Sequence, residues 1–111
     1  MRNLVLLMIT AVPFFTFTQV GGDIRHDGRE LVGHPSFELD ADHDGVIVFR
    51  IAVNAEGIIT SAKPIADSTT IRSTPAKINA RNYLSNFSFE PGTWYPKYHQ
   101  GTIRLRLVKK N

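Results

Sequence analysis

Apolar and polar residues alternate with a period of two along Gly45–Pro64, in the middle of the chain. Successive side chains of a β-strand point to opposite faces, so this pattern predicts a half-buried strand and not a helix. The Asn54–Gly57 segment interrupts the alternation, and its glycine suits the positive φ of a short hairpin turn. Ile58–Ile65 is predicted to return as the second strand. The buried face of the first strand is predicted to consist of Ile47, Phe49, Ile51 and Val53.

The spacing of apolar residues changes to three and four after a polar loop at Asp67–Thr74. Thr74 and Pro75 favour a helix start, because a hydroxyl caps the first turn and a proline at the first helical position loses no hydrogen bond. The pattern predicts one amphipathic helix that ends near Ser85 or Asn86. Its apolar stripe comprises Ala76, Ala80, Tyr83, Leu84 and Phe87.

The last alternating segment, Thr102–Val108, predicts a third strand with one apolar face and one largely basic face. The short turn makes strands one and two antiparallel neighbours, whereas the intervening helix lets strand three return beside strand one. We therefore predict an α+β domain with a three-stranded antiparallel sheet of order 2-1-3 and one main helix packed on one face. The third strand would then be an edge strand with unpaired backbone groups.

The first part of the chain has the character of an export signal. Arg2 precedes an almost wholly apolar run, Leu4–Phe17, and small residues at Thr16 and Thr18 suit a signal peptidase site. The run is shorter than the ~20 apolar residues that span a bilayer. Residues 1–18 are therefore predicted to be a signal peptide, with an uncleaved inner-membrane anchor as the alternative. Residues 19–44 are interpreted as a loose leader with an acidic turn, and residues 45–111 as the folded domain.

Composition narrows the chemistry of this small protein. The 111 residues include no cysteine, which excludes disulfides, thiolate nucleophiles and cysteine-based zinc sites. Residues 19–56 carry three basic residues against eight acidic ones, whereas residues 57–111 carry nine basic residues against two acidic ones. Such asymmetry indicates either a charged binding face or attraction between two halves of one domain. The sequence leaves both interpretations open.

No arrangement typical of an enzyme appears in the sequence, so we predict a non-enzymatic protein without a cofactor. The serines lack a nucleophile elbow, and the four histidines share no metal-ligand spacing, which favours surface or loop positions. A basic tail beside aromatic residues is compatible with single-stranded nucleic acid. An exported protein rarely meets that ligand, and we expect no nucleic-acid partner. A contact with peptidoglycan or anionic lipid is the compatible alternative, and a solvated sheet face whose charges deter aggregation is favoured over it. Trp94, Tyr95 and Tyr98 are predicted instead to cap the open end of the core.

The acidic turn resembles the opening of a calcium-binding loop. Asp40, Asp42 and Asp44 occupy alternate positions, and Gly45 occupies the sixth. The twelfth position is Ile51 instead of a bidentate glutamate, and it belongs to the buried face of the first strand. The three aspartates are therefore only a weak calcium candidate, and no metal site is predicted. A calcium-binding or envelope-structural module that uses this turn is the alternative function.

Short motifs follow one another in a fixed order along most of the predicted mature chain. They are Gly28-Arg29, Pro35-Ser36-Phe37, the hairpin with Gly45, Ile51, Val53 and Gly57, Asp67-Ser68-Thr69-Thr70, Phe87, Phe89 and Pro91, and Gln100-Gly101-Thr102-Ile103. In order and spacing, these motifs resemble the TonB C-terminal domain family. The resemblance extends over residues 28–108.

This resemblance implies a periplasmic domain that binds an extended peptide, the TonB box, of an outer-membrane transporter by strand addition. Transducers of the family carry a membrane helix and a long proline-rich linker that this sequence lacks, so we expect a free-standing adaptor with a role in TonB-dependent transport. An exposed edge is also compatible with strand exchange in a homodimer. The implied peptide-binding edge consists of Thr102, Ile103, Arg104, Leu105, Arg106, Leu107 and Val108.

Overall fold

The computed structural model describes residues 19–110, so the predicted export signal at residues 1–18 lies outside the described residues. In this described part, no helix is long and apolar enough to cross a membrane. In chain order the elements are β1 (Val20–Gly21), α1 (Gly22–His26), β2 (Glu38–Ala41), β3 (Gly45–Val53), β4 (Ile59–Pro64), a 3₁₀ turn (Ala66–Ser68), α2 (Thr74–Tyr83), a second 3₁₀ turn (Leu84–Asn86) and β5 (His99–Lys109).

The centre of the sheet is the antiparallel arrangement β4–β3–β5. β3 pairs with β5 over its whole length, from Gly45 opposite Leu107 to Val53 opposite His99. These are the three strands predicted from the alternating pattern, and their order 2-1-3 is confirmed. Gly57 has a φ of +85°, which agrees with its predicted place in the hairpin turn. The α+β class with one main helix is likewise confirmed.

The prediction of only three strands is wrong, since the described residues form a five-stranded sheet. β1 pairs antiparallel with β5 at Thr102 and Ile103, and β2 pairs parallel with β5 from Arg106 to Lys109. Thr102–Val108, predicted to be an edge, is therefore flanked by strands on both sides. Strands of two and four residues are too short to produce a recognisable alternation, which is why the sequence pattern did not reveal β1 and β2.

The segment predicted to be a loose leader is built into the fold. Ile24 of α1 is fully buried in the core, next to Gly101 near the start of β5. A Cβ atom at Gly101 would lie 2.7 Å from Ile24 Cδ1, and one at Gly22 would lie 2.9 Å from Gly101 Cα. Non-bonded carbon atoms prefer about 3.5–4.0 Å, so only glycine permits this close approach. Gly22 also has a φ of +74°, which favours glycine by itself.

α2 is the main helix, and its buried side packs against the sheet. Ser73 caps it, because the Ser73 Oγ accepts a hydrogen bond of 3.3 Å from the Ala76 N–H. The predicted start, with Thr74 as the cap, is thus one residue late. Ala80 of α2 and Leu84 of the following 3₁₀ turn belong to the same core cluster as the buried side chains of β3 and β5. The helical backbone continues as a 3₁₀ turn to Asn86, where the sequence pattern predicted the helix to end.

The core lies between α2 and the odd-numbered residues of β3 and β5. All four residues predicted for the buried face of the first strand are at most 1% exposed. Ile103, Leu105 and Leu107 of β5 extend the same apolar surface, and Phe87 and Phe89 close it beyond α2. The alternating pattern therefore identified the central part of the core correctly.

Leu105 provides a direct test of this core, because its side chain is fully buried. We expect Leu105→Ala to lower the free energy of unfolding by about 2–5 kcal/mol, since it removes buried methyl groups and leaves a cavity. The neighbouring Arg104 is exposed on the opposite face, so Arg104→Ala should change stability by about 0.5 kcal/mol or less. Chemical denaturation of both variants measures the difference. Equal losses would contradict the assignment of the two faces.

Candidate functional site

The outer edge of β5 is the candidate site, because the predicted peptide-binding residues lie along it. Its backbone groups are already used by the chain itself. The Arg104 N–H donates to the Gln19 carbonyl at 2.9 Å, and the Arg106 N–H donates to the Phe37 carbonyl at 2.9 Å. Farther along, the Lys110 N–H donates to the Ala41 carbonyl at 3.0 Å. The edge thus holds two short intrachain strands in opposite directions.

The side chains of the predicted binding residues divide into two sets. Ile103, Leu105 and Leu107 face the core and are buried, so they hold the strand in place and present no side chain to a ligand. Arg104 and Arg106 are exposed on the other face, with Thr102 and Val108 half-buried beside them. A ligand on this edge would therefore contact backbone groups, flanked by basic side chains.

β1 and β2 are attached to this edge unequally. β2 has four residues in register with β5, whereas β1 has two. An ion pair between Arg106 and Glu38, 3.6 Å apart, adds a contact to β2, but both side chains are exposed and such pairs contribute little. β1 is consequently the smaller of the two strands that cover the edge.

A buried polar cluster lies at the start of β5. His99 is fully buried and Arg29 is 4% exposed. Nε2 of His99 lies 2.7 Å from Oδ2 of Asp27, and its Nδ1 lies 3.2 Å from Nη1 of Arg29. Since a guanidinium only donates, Nδ1 must accept and Nε2 must carry the proton that it donates to Asp27. These partners assign a neutral His99 in the Nε2–H form.

The hydrogen bond from His99 also affects the carboxylate at the other end. It holds the pKa of Asp27 below the ordinary value of 3.8, and a weaker contact with His26 acts in the same direction. Asp27 directly follows α1, and His99 is the first residue of β5. Their hydrogen bond therefore ties the end of α1 to the start of the central strand.

Arg29 connects its own loop to two others through their backbone carbonyl groups. Its Nε donates to the Glu90 carbonyl at 2.7 Å, and its Nη2 donates to the Asn54 carbonyl at 2.8 Å. The guanidinium also stacks over the Tyr95 ring, 4.2 Å from its centroid. Burial lowers the pKa of Arg29, but an arginine remains charged in proteins. This cluster cross-links the loops at one end of the sheet.

The cluster does not have the arrangement of a catalytic triad. A histidine that activates a hydroxyl needs one ring nitrogen on a carboxylate and the other on the nucleophile. In this cluster Asp27 occupies the first position, but Arg29 occupies the second, and a guanidinium is not a nucleophile. Both nitrogens of His99 are already engaged, which supports a structural role.

Two predictions about this end of the molecule are wrong. His99 was expected at the surface, yet it is buried. Its hydrogen-bond partners Arg29 and Asp27 are 70 and 72 positions away in the sequence, so neighbouring residues did not indicate its burial. The three aromatic residues do not form a cap: Trp94 is 75% exposed and Tyr98 is 64% exposed. Only Tyr95 packs inward, stacked on His99 with the ring centroids 5.2 Å apart. The Gly28-Arg29 motif was the sequence signal for this cluster, although its contacts were not foreseeable.

The acidic turn lies at the C-terminal end of β5. The Asp44 Oδ1 accepts a hydrogen bond of 2.6 Å from the Lys109 N–H, so this carboxylate holds the end of the strand. Asp40 belongs to β2 and lies opposite Val108. Across residues 19–110, no group of three or more acidic, histidine or cysteine residues is arranged to hold a metal ion. The structure does not bring Asp40, Asp42 and Asp44 together as calcium ligands.

Comparison of the chain with protein-family models, with curated protein sequences and with solved structures finds no match. The resemblance to the TonB C-terminal domain family therefore depends on the motifs alone.

The cluster predicts a defined pH dependence. A carboxylate with a lowered pKa in the folded state contributes stability that is complete above its unfolded pKa and is lost as the pH falls through its folded pKa. We therefore expect wild-type protein to be more stable than Asp27→Asn at neutral pH. This advantage should disappear as the pH falls below 3.8, the ordinary value for Asp27.

Urea denaturation from neutral pH to about pH 2 measures this difference. Asp67→Asn is the control, because Asp67 is exposed in the 3₁₀ turn before α2. A difference between wild type and Asp27→Asn that stays constant down to the lowest pH would contradict the role of the Asp27 carboxylate.

Proposed function

We propose that this domain is a non-enzymatic protein-interaction module that binds an extended peptide by strand addition to the outer edge of β5. The motifs resemble the TonB C-terminal domain family, so the partner we infer is the TonB box of an outer-membrane transporter, met in the periplasm. A role in TonB-dependent transport follows from that partner. β5 remains the peptide-binding strand, but a short strand that already pairs with it has to leave before the peptide binds.

The observation that carries the proposal is the pairing of β5 with two unrelated short strands. The same edge accepts an antiparallel strand at Thr102 and Ile103 and a parallel strand from Arg106 onward. Backbone hydrogen bonds, which do not depend on side-chain identity, supply the contacts in both cases. An edge with these properties is suited to an added peptide strand.

A peptide can enter this edge by exchanging with β1. The departure of β1 requires the Gln19–Gly21 segment to detach, while Ile24 keeps α1 in the core and Asp27 keeps α1 tied to His99. A longer peptide strand would form more backbone hydrogen bonds along β5 than the two paired residues of β1. β2, with four paired residues and Asp44 beside it, would remain in place.

A reversible covalent lock on β1 tests the proposal. The native chain has no cysteine, so Gln19→Cys combined with Arg104→Cys introduces one defined pair. Opposed, hydrogen-bonded residues of antiparallel strands have Cα atoms about 5.5 Å apart, which a disulfide can bridge. We expect the oxidised variant to lose binding of synthetic TonB-box peptides, measured by fluorescence anisotropy, and the reduced variant to regain it.

The matched control is a lock on β2, made by Glu38→Cys with Arg106→Cys, which are opposite each other in register. This variant should bind peptide equally in its oxidised and reduced states. Thermal unfolding verifies that both variants fold. Equal peptide affinity of the β1-locked variant in both redox states, or loss of binding only when β2 is locked, would contradict exchange with β1.

A further inference from the structure

The solvent-facing side of the sheet carries a cluster of cations that extends beyond the peptide-binding edge onto β3 and β4. α1 and α2 pack against the odd-numbered residues of β3 and β5, and the even-numbered residues face the other way. We define the basic face as Arg50 of β3, Lys63 of β4, and Arg104 and Arg106 of β5. All four residues are exposed.

The strand register brings these cations close together. Arg50 lies directly opposite Lys63 in the β3–β4 pair. Directly opposed residues have Cβ atoms about 5 Å apart, and like charges in this position destabilise a sheet. Arg104 lies opposite Val48, which places it diagonally next to Arg50 at about 7–8 Å. The basic face is therefore a site of mutual repulsion within the folded domain.

Acidic residues relieve this repulsion at one end only. Glu38 lies 3.6 Å from Arg106. For Arg50, Lys63 and Arg104, no ion pair with an acidic side chain occurs within the described residues 19–110. An anionic partner would supply the missing compensation, because it attracts all three cations at once.

The path of the chain indicates which anionic partner fits. The apolar run Leu4–Phe17 ends just before Gln19, and the Gln19 carbonyl accepts the hydrogen bond from the Arg104 N–H. The described fold therefore begins beside Arg104, which is one of the residues of the basic face. In the uncleaved-anchor alternative this apolar run inserts into lipid, which brings the neighbouring basic residues to the headgroups. The face also lacks the aromatic residues on which nucleic-acid bases stack.

We propose that the basic face docks on an anionic lipid surface. Val46 and Val48 are half-buried opposite Arg106 and Arg104 in the strand register, so the face also carries apolar surface between its cations. Each cation near an anionic membrane surface strengthens binding about fivefold, and the attraction weakens as salt is added. The face shares Arg104 and Arg106 with the β5 edge but uses their side chains, whereas strand addition uses their backbone groups.

Vesicle co-sedimentation of the full chain tests the proposal. The probes are vesicles of phosphatidylcholine mixed with phosphatidylglycerol, and vesicles of phosphatidylcholine alone. The apolar N-terminal run contributes equally to the binding of both kinds of vesicle, so the ratio of the two partition coefficients measures the contribution of lipid charge. For the double variant Arg50→Gln with Arg104→Gln, we expect this ratio to fall about 25-fold.

The matched control is Lys77→Gln with Arg81→Gln, which removes the same charge from α2 on the other side of the sheet. It should retain most of the preference for anionic vesicles. Thermal unfolding without lipid is a second readout: removing Arg50 from its position opposite Lys63 should leave the melting temperature unchanged or raise it.

Three results would overturn the proposal. The first is equal binding of wild type to anionic and neutral vesicles. The second is an equal loss in the test and control variants, which would indicate a general effect of net charge. The third is binding of soluble polyglutamate as tight as that of anionic vesicles at the same ionic strength, which would identify an acidic protein segment as the partner.

Discussion

Backbone pairing along both sides of β5 is the constraint on which the rest of this structure depends. A strand with one buried face and one free edge leaves a row of unpaired donors and acceptors. β3 satisfies one side over nine residues, and the N-terminal part of the chain returns twice to satisfy the other. The otherwise featureless leader is ordered because the central strand provides it with hydrogen-bond partners.

The buried cluster around Arg29 solves a related problem at one end of the sheet. Loops meet there, and the part-buried carbonyl groups of Asn54 and Glu90 need hydrogen-bond donors. An arginine side chain offers five donors in a fixed plane, so one residue bonds the carbonyls of Asn54 and Glu90 and also His99. A lysine would supply fewer donors without this geometry. Because the guanidinium bonds carbonyls and a neutral imidazole, the buried charge is hydrogen-bonded without a direct carboxylate partner.

The central strands and the main helix could be predicted from sequence because each has a periodic apolar face long enough to recognise. Ile47, Phe49 and Ile51 alternate in a manner that only a strand explains, and they are buried as predicted. β1 and β2 carry no such signal, since a strand of two or four residues is defined by its partner and not by its own pattern. The same reason applies to His99, whose burial depends on Asp27 and Arg29, distant in sequence. Local periodicity therefore identifies the residues of the core. It does not identify the short strands that cover the edge of β5 or the partners of a buried polar residue.

Arg104 shows how one strand supports two different surfaces. Its backbone N–H points to the outer edge and bonds Gln19, whereas its side chain is exposed on the open face of the sheet beside Arg50. The pleat of a strand separates these directions by about a right angle, since hydrogen bonds lie in the sheet and side chains stand out of it. A change of the side chain therefore alters the charge of the face while leaving the edge able to pair. Peptide addition and lipid contact use different groups of the same residue, and neither surface requires the other to be occupied.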